Sequence, residues 1–551
     1  MTTGEMEKRI TDLETELDET KAKLNASEIQ KAEYKAENER LMEIIRNFQR
    51  RHFKSQSEKS SLILQLSLFN EAETIADQDP ESPDEETIVK EHIRRKKGAG
   101  VKESELRVEL IDHPAETMLC PDCGSEMKET EPTIIEKLVY KPAEWVLEQH
   151  KIHNFECPGC GDADGNATLA ASDKVPELLE GSLVTPSVFS FVFVEKFLKS
   201  VPFYRIESTL FREGIYLSRQ TMSNWFLAVM EIYLSILITL MRDDLKKEDI
   251  HYGDETTVKC LEETDHDNNY MWLQCSSPFS ESQIYVYTYH EGRDGDFCRK
   301  LYEGYSGYLH CDAYSTYKNL ENIKVVACWD HVRRRVIDAL AGDKVKEEYD
   351  KLRTKALRTA FLESHKGFAL KIEFLELIDE LYRIERLFRK KKLDPEEIHK
   401  ERNVKSREQL EKIRKFLDAN LDIFAESSKM YEAIHYADNN WPGLCTYLED
   451  GRLELTNGRS ERGIKDFVIG RKNWLFNKTE RGAQASADAY SLAVTIKANN
   501  LHPQKYIEYV LNKMMTMEKA DPEKYRELLP YSKSLPDYLR VNRKKTSVNE
   551  G

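Results

Sequence analysis

No stretch of this chain approaches eighteen uninterrupted apolar residues, and its first residues are charged where a secretory leader would be hydrophobic. Neither a membrane span nor export is therefore expected. Cysteine is sparse. Ten in 551 residues is too thin for a disulfide scaffold, and four of them stand in two Cys-x-x-Cys pairs, which suits a reducing cytoplasm. Positive charge is also short: 82 Lys and Arg face 98 Asp and Glu, a net of −16 that argues at first against a nucleic-acid partner. The deficit is local, however. Residues 1–45 carry twelve acids against seven bases and 71–90 eight against one, which is −5 and −7, or −12 of the −16. By contrast, 459–482 carries seven bases against three acids. Binding follows the local field rather than the total, so DNA stays open. The length exceeds what one core supports, and three or four domains are expected.

What is present begins with a heptad pattern over residues 1–52. Ile10, Leu13, Leu17, Leu24, Tyr34, Leu41, Ile45 and Phe48 occupy a and d positions, while Thr20, Ser27, Lys31 and Asn38 weaken the middle of the seam. The pattern fits a two-stranded coiled coil, or one amphipathic helix packed on its own protein. Residues 53–107 are basic, then acidic with Pro, without periodicity, and read as a linker.

Within 108–175, LCPDCGSE and ECPGCGDA place Cys120, Cys123, Cys157 and Cys160 in two matching knuckles. Four thiolates in tetrahedral array are a structural zinc site, with no position left open for catalysis. In the helical stretch 176–245, FYRIESTLFREGIYLSRQTMSNWF reads as helix, turn, helix, with Gly214 at a helix end and Ser218 as N-cap. Such a motif would present Arg219, Gln220, Ser223 and Asn224 to DNA, although the same shape is also a common packing unit.

From 246 to 335 the pattern turns strand-rich: DIHYGDETTVKCLE, YMWLQCSS, IYVYTYH, GYLHCDAY and VVACWDH. Charged amphipathic helices follow through 336–445, then a basic segment and an Ala-rich helix in 446–515, and a tail in 516–551. Carboxylates are depleted in strands and costly when half-buried, so the Asp-Glu pair in HYGDETTV needs a reason. Asp254 in the first strand, Asp312 after the fourth and Glu461 on a later helix are the three acids a ribonuclease-H-like site uses. Such oxygen ligands suit Mg²⁺ or Mn²⁺, and two ions can serve an in-line displacement at phosphorus. Strand alternation puts Asp254 and Glu255 on opposite faces, so only one can point into the site. Cys328 and His331 in ACWDHVRRR have a metal-like spacing but lack two partners, so a packed Cys and a buried His are expected. Arg333, Arg334 and Arg335 either meet phosphates or line a solvated face. Arg462, Arg471, Lys472 and Asn473, interleaved with Trp474 and Phe476, read as DNA-backbone contacts, with Trp474 in the core.

These segments together resemble the insertion-sequence 66 family of bacterial DDE transposases. The resemblance runs through FKSQSEK, the CPDCG and CPGCG knuckles, YGDETTVKCLE, GYLHCDAYSTY, ACWDHVRRRV, GRSERGIKDFVIGRKNWLF and ADAYSLAVTIKANNLHPQKYI, in the family's order and over nearly the whole chain. It implies an α/β multidomain protein with a ribonuclease-H-like core, a large helical insertion, and Asp254, Asp312 and Glu461 as catalytic metal ligands. It further implies a cytoplasmic enzyme that binds the terminal inverted repeats of its element, nicks them and joins the 3′ ends to target DNA. A homodimer or higher oligomer and two small accessory proteins of the same element go with it. One departure matters: where the family has Asp-Asn-Asn before the Glu-Arg pair, this chain reads Thr-Asn-Gly, with Thr456 at the Asp position. Glu461 is expected to suffice; the alternative is a decayed, inactive zinc-dependent DNA-binding protein.

Overall fold

The computed structural model describes residues 144–150, 154–156, 169–171, 176–262, 269–312, 316–343, 345–517 and 522–541. The heptads, the linker and Cys120, Cys123, Cys157 and Cys160 lie outside them. The chain divides into two compact units, the smaller being Asp77–Val175. In it, strands β1 (Asn154–Glu156) and β2 (Leu169–Ala171) pair antiparallel, with Asn154 opposite Ala171.

The larger unit is built on a five-stranded mixed sheet. Its strands are β3 (Ile250–Val258), β4 (Asn269–Ser276), β5 (Tyr285–His290), β6 (Gly307–Cys311) and β7 (Ile323–Ala327), in the order β5-β4-β3-β6-β7. All five coincide with strands expected from the sequence. The β3–β4 and β4–β5 pairs are antiparallel; β3–β6 and β6–β7 are parallel. The β3–β6 ladder stops at Tyr252 opposite His310, while β3 runs on to Val258. The two strands therefore part just where the first carboxylates begin, and a cleft at the carboxyl ends of parallel strands is a recurrent ligand site.

Helices cover both faces. Ahead of the sheet come α1 (Pro186–Phe193), α2 (Phe203–Arg212), α3 (Arg219–Val229) and α4 (Ser235–Leu245); α5 (Gly295–Leu301) sits between β5 and β6. The α2–α3 turn forms as its residues dictate. Gly214 takes a left-handed φ of 83°, Ile215 N–H closes the helix end on Leu210 O at 2.9 Å, and Ser218 Oγ accepts from Thr221 N–H at 3.1 Å. Arg219–Leu245 forms one helical run, long and apolar enough by composition to cross a membrane. Here its Met222, Phe226, Val229, Leu234, Leu237 and Met241 are buried against the protein.

After β7 follow α6 (Trp329–Ala341), α7 (Lys366–Lys390), α8 (Arg407–Asn420) and α9 (Lys429–Asn439), then α10 (Gly458–Trp474), α11 (Glu480–Ala498) and α12 (Pro503–Thr516). A buried ion pair ties the inserted helices to the approach to α10. Arg402 donates to both oxygens of Glu385 at 2.8 Å, and to the carbonyls of Tyr447 and Asp450 at 3.1 Å. The sheet edge at β5 is closed by α11, whose small residues allow close approach. Thr495 Oγ1 accepts from Tyr285 N–H at 3.0 Å and Ser491 Oγ from Tyr287 N–H at 2.7 Å. An edge strand's unpaired N–H groups are thereby satisfied by hydroxyls. Residues 522–541, expected as part of a tail, instead pack on the core: Leu528, Leu535 and Leu539 are buried, and Arg526 and Tyr531 both bind Asp244 at 2.7 Å.

Candidate active site

The cleft between β3 and β6 collects the three expected acids. Asp254 stands two residues beyond the last β3–β6 pair, Asp312 directly follows β6, and Glu461 is in the first turn of α10. Several contacts set that helix against the sheet. Asn457 Nδ2 donates to Gly253 O at 2.9 Å, and its backbone N–H to Cys328 Sγ at 3.2 Å. Arg459 donates to Gln283 Oε1 at 2.6 Å, and Tyr287 Oη to Gly463 O at 2.6 Å. Gly463 is required by the closeness: a Cβ there would lie 2.6 Å from Leu273 Cδ2. Gly253 is required on the other side of β3, where a Cβ would meet Tyr302 Oη at 2.3 Å.

The electrostatics show mutual crowding of acids. Burial pushes the Asp254 carboxyl well above its usual range, and the charges of Glu255, Glu461 and Asp312 add to that. Glu461 goes the other way. Burial opposes its charge, but His331, Arg334 and Arg462 outweigh burial and hold it below the ordinary value. His331 Nε2 lies 3.4 Å and Arg334 Nη2 4.0 Å from Glu461 Oε1. The histidine's angle leaves that buried oxygen without a formed hydrogen bond, so the approach is electrostatic. Asn457 Oδ1, one turn earlier, is likewise buried without a partner. Two uncommitted hard oxygens beside an acid whose carboxyl is raised by burial and by neighbouring acids fit a divalent oxygen-seeking cation such as Mg²⁺ or Mn²⁺.

Other expectations divide. Asp254 and Glu255 do take opposite faces, and Glu255 binds Arg293 and Tyr317 rather than the Asp254 side. Cys328 is packed as expected, but His331 is half-buried and turned to Glu461, the third neighbour that the spacing alone lacked. Of the three arginines, Arg333 binds Asp379 at 2.6 Å, Arg335 lies 4.3 Å over the Tyr436 ring, and Arg334 faces Glu461. Arg219, Gln220 and Asn224 are exposed on α3, with Gln220 donating to Asn224 at 2.9 Å. Arg462 and Lys472 are exposed on α10. Arg471, half-buried, has its guanidinium on Thr256 Oγ1 and Thr257 Oγ1 at 3.2 Å each, so it braces the end of β3. Trp474 packs edge-on to Phe467, 5.7 Å away. Lys196 lies over Phe203 at 4.5 Å and Trp474 at 5.6 Å, and burial brings its amine down to about 8. Arg293, Tyr436 and Lys196 escaped sequence reasoning because each acts through a fold contact rather than a motif.

Fold and site together describe a mixed α/β unit with a carboxylate cluster and a helix-turn-helix. Residues 181–485 match the family described as "Transposase IS66 family", and residues 118–161 the "zinc-finger binding domain of transposase IS66". The chain belongs to the IS66 transposase family, and its knuckles to a zinc-binding domain. It is also similar to three uncharacterized proteins of Sinorhizobium fredii (strain NBRC 101917 / NGR234). Identity is 27% to y4qI over 61% of each chain, and 25% to y4hP over 77% of this chain and 75% of that one. It is 23% to y4jD over 74% and 77%. The match spans 61% of the length of y4qI.

Proposed function

We propose that this transposase works by a DDE mechanism on a ribonuclease-H-like core. It would bind the terminal inverted repeats of its element, nick them, and join the 3′ hydroxyl to target DNA. The observation that carries this reading is the parting of β3 from β6 beyond Tyr252 and His310, with Asp254, Asp312 and Glu461 gathered around the gap. The order β5-β4-β3-β6-β7, two antiparallel and two parallel pairs, supports the core assignment.

Asp254, Asp312 and Glu461 would hold two divalent ions, Mg²⁺ or Mn²⁺. When bound, such ions supply the charge that activates water and neutralises the leaving oxygen. The chain supplies the rest. Burial and the neighbouring acids oppose the charge on Asp254, which a bound cation would offset. His331 and Arg334 keep the Glu461 carboxylate ionised. Arg462 and Lys472 would hold the backbone near the cleft, and Arg219, Gln220 and Asn224 would read the repeats, with the zinc domain assisting. The heptads would pair protomers so that both ends are held at once, and two small accessory proteins would join the complex.

The test is strand nicking of inverted-repeat DNA by full-length protein with Mg²⁺, Mn²⁺ or chelator, and with Asp312→Asn and Glu461→Gln. Metal-dependent 3′-hydroxyl ends, absent in both variants, are expected; undiminished cleavage by Asp312→Asn would sink the site assignment. Thr456, in place of the family's Asp, favours a second reading as a silent end-binding repressor. Specific end binding without cleavage under any metal, even with the accessory proteins, would favour it.

A further inference from the structure

Glu255 is adjacent in sequence to a proposed metal ligand yet lies on the far face of β3, with its side chain only 3% exposed. A carboxylate so buried needs a fixed partner. Arg293 Nε, just past β5, donates to Glu255 Oε1 at 2.6 Å, and Tyr317 Oη donates to Oε2 at 2.6 Å. The same guanidinium reaches onward, Nη2 lying 3.2 Å from Asp312 Oδ2. One planar fork thus joins an acid from β3 to an acid beyond β6 across the point where those strands separate. We propose that Glu255 and Arg293, braced by Tyr317, are positioning residues that orient the Asp312 carboxylate for metal binding. The proposal rests on the reading of Asp312 as a metal ligand.

The charge count explains why two residues are needed rather than one. An arginine alone on Asp312 would orient it but cancel its charge, and so compete with a cation. With Glu255 on the other side, the sum is −1 (two carboxylates, one guanidinium), and Asp312 keeps its attraction for a metal. Arg suits the task because its donors are rigidly spaced; a lysine would supply the charge without the orientation. Asp312 is the first residue past β6, where no ladder fixes it, and its own carbonyl is held by Tyr436 Oη at 2.6 Å. The side chain needs an equivalent restraint, and Arg293 provides it.

This division of labour separates two kinetic quantities. Glu255→Gln leaves Arg293 uncompensated, so it should raise the Mg²⁺ concentration for half-maximal nicking about tenfold or more, the scale of one charge-assisted contact. Arg293→Gln should instead lower the rate at saturating Mg²⁺ by about tenfold, on the same scale. The neutral double variant Glu255→Gln/Arg293→Gln should recover Mg²⁺ half-saturation relative to Glu255→Gln alone, while the rate stays low. Such recovery follows from restored charge balance, which mere loss of packing would not produce.

The measurement is nicking of inverted-repeat DNA by full-length protein across a Mg²⁺ titration, with melting curves alongside. If Glu255→Gln does not fold, half-exposed Arg293 carries the test: Arg293→Lys should keep the half-saturation and lose rate. Both single variants matching the parent in both quantities, or a double variant without that recovery, would overturn the network. Asp312→Asn run in parallel separates the failures. If it still nicks, the DDE reading falls; if it is inactive while the network variants behave normally, only this inference falls.

Discussion

Replacing Asp254 by Asn removes a carboxylate raised by burial and by Glu255, Glu461 and Asp312. The metal-free Asp254→Asn protein should therefore melt at a higher temperature than the parent, while losing metal-dependent nicking. Thermal scans in magnesium-free buffer check this; a lower midpoint would contradict the charge crowding. Two buried histidines contribute to the response to acid, against the raised carboxyl of Asp254. Burial takes His251 down to about 4 and His310 to about 3, against an ordinary 6.5. His251 shares a 2.6 Å hydrogen bond with Leu245 O, and His310 stacks on Tyr252 at 4.2 Å. Below pH 6.5 the unfolded chain takes protons that the folded one refuses. Their contribution to stability is thus full above 6.5 and is lost as pH falls toward 4, each histidine withdrawing roughly 1.4 kcal/mol for every whole step of pH. Urea midpoints between pH 7 and 4 should fall, and fall less in His310→Gln. Neither effect was legible in the sequence, where a histidine in a strand shows nothing of its neighbours. The three acids were singled out by family resemblance, since strand and helix signals alone would admit many triples among 98 acids; Arg293 was not, since only folding brings its loop to Asp312.

At the level of elements, the β5 edge and the seat of α10 make separate demands. Thr495→Val removes the acceptor for Tyr285 N–H while keeping the side-chain shape. Leaving that buried donor unpaired should cost about 1–3 kcal/mol. The check is a chemical melt, where an unchanged midpoint would mean the strand edge finds another partner. Gly463→Ala puts a methyl against Leu273 and Tyr285, and must lift the helix that carries Glu461. Nicking should drop more than stability does, since the tenths of an ångström involved matter most to ligand geometry. The five strands were readable from period-two patterning and aromatic or β-branched content. The glycines and hydroxyls that bring α10 and α11 onto them were not, because their spacing acquires meaning only against a facing strand. The same holds for Arg471, whose basic neighbourhood suggested DNA and gave no sign of its hold on β3.

On the scale of the whole molecule, the zinc-binding domain lies in a compact unit of its own. Metal analysis should find one zinc per chain, absent in Cys120→Ser. That variant should lose inverted-repeat binding, while the larger unit keeps its thermal transition; coincident loss of both would show that the units do not stand independently. Paired knuckles reveal a metal site from sequence because four soft ligands at short intervals have few other uses. The role of the inserted helices was hidden, since amphipathic periodicity says that a helix packs and not on what. Tyr436, from α9, holds the carbonyl of Asp312, so the insertion is part of what shapes the cleft.

The contacts that complete this cleft join residues far apart in the chain. Tyr252 meets Glu454 across 202 positions, and Tyr285 meets Thr495 across 210. At a translation speed of about 5–20 residues per second, roughly 12–48 seconds separate the emergence of the first acid's strand from that of the helix sealing the sheet. A nascent chain that ends before α10 therefore carries Asp254 and Asp312 without Glu461. On the proposed DDE reading, the order in which the polypeptide is made would keep a nascent chain from cutting the host's DNA.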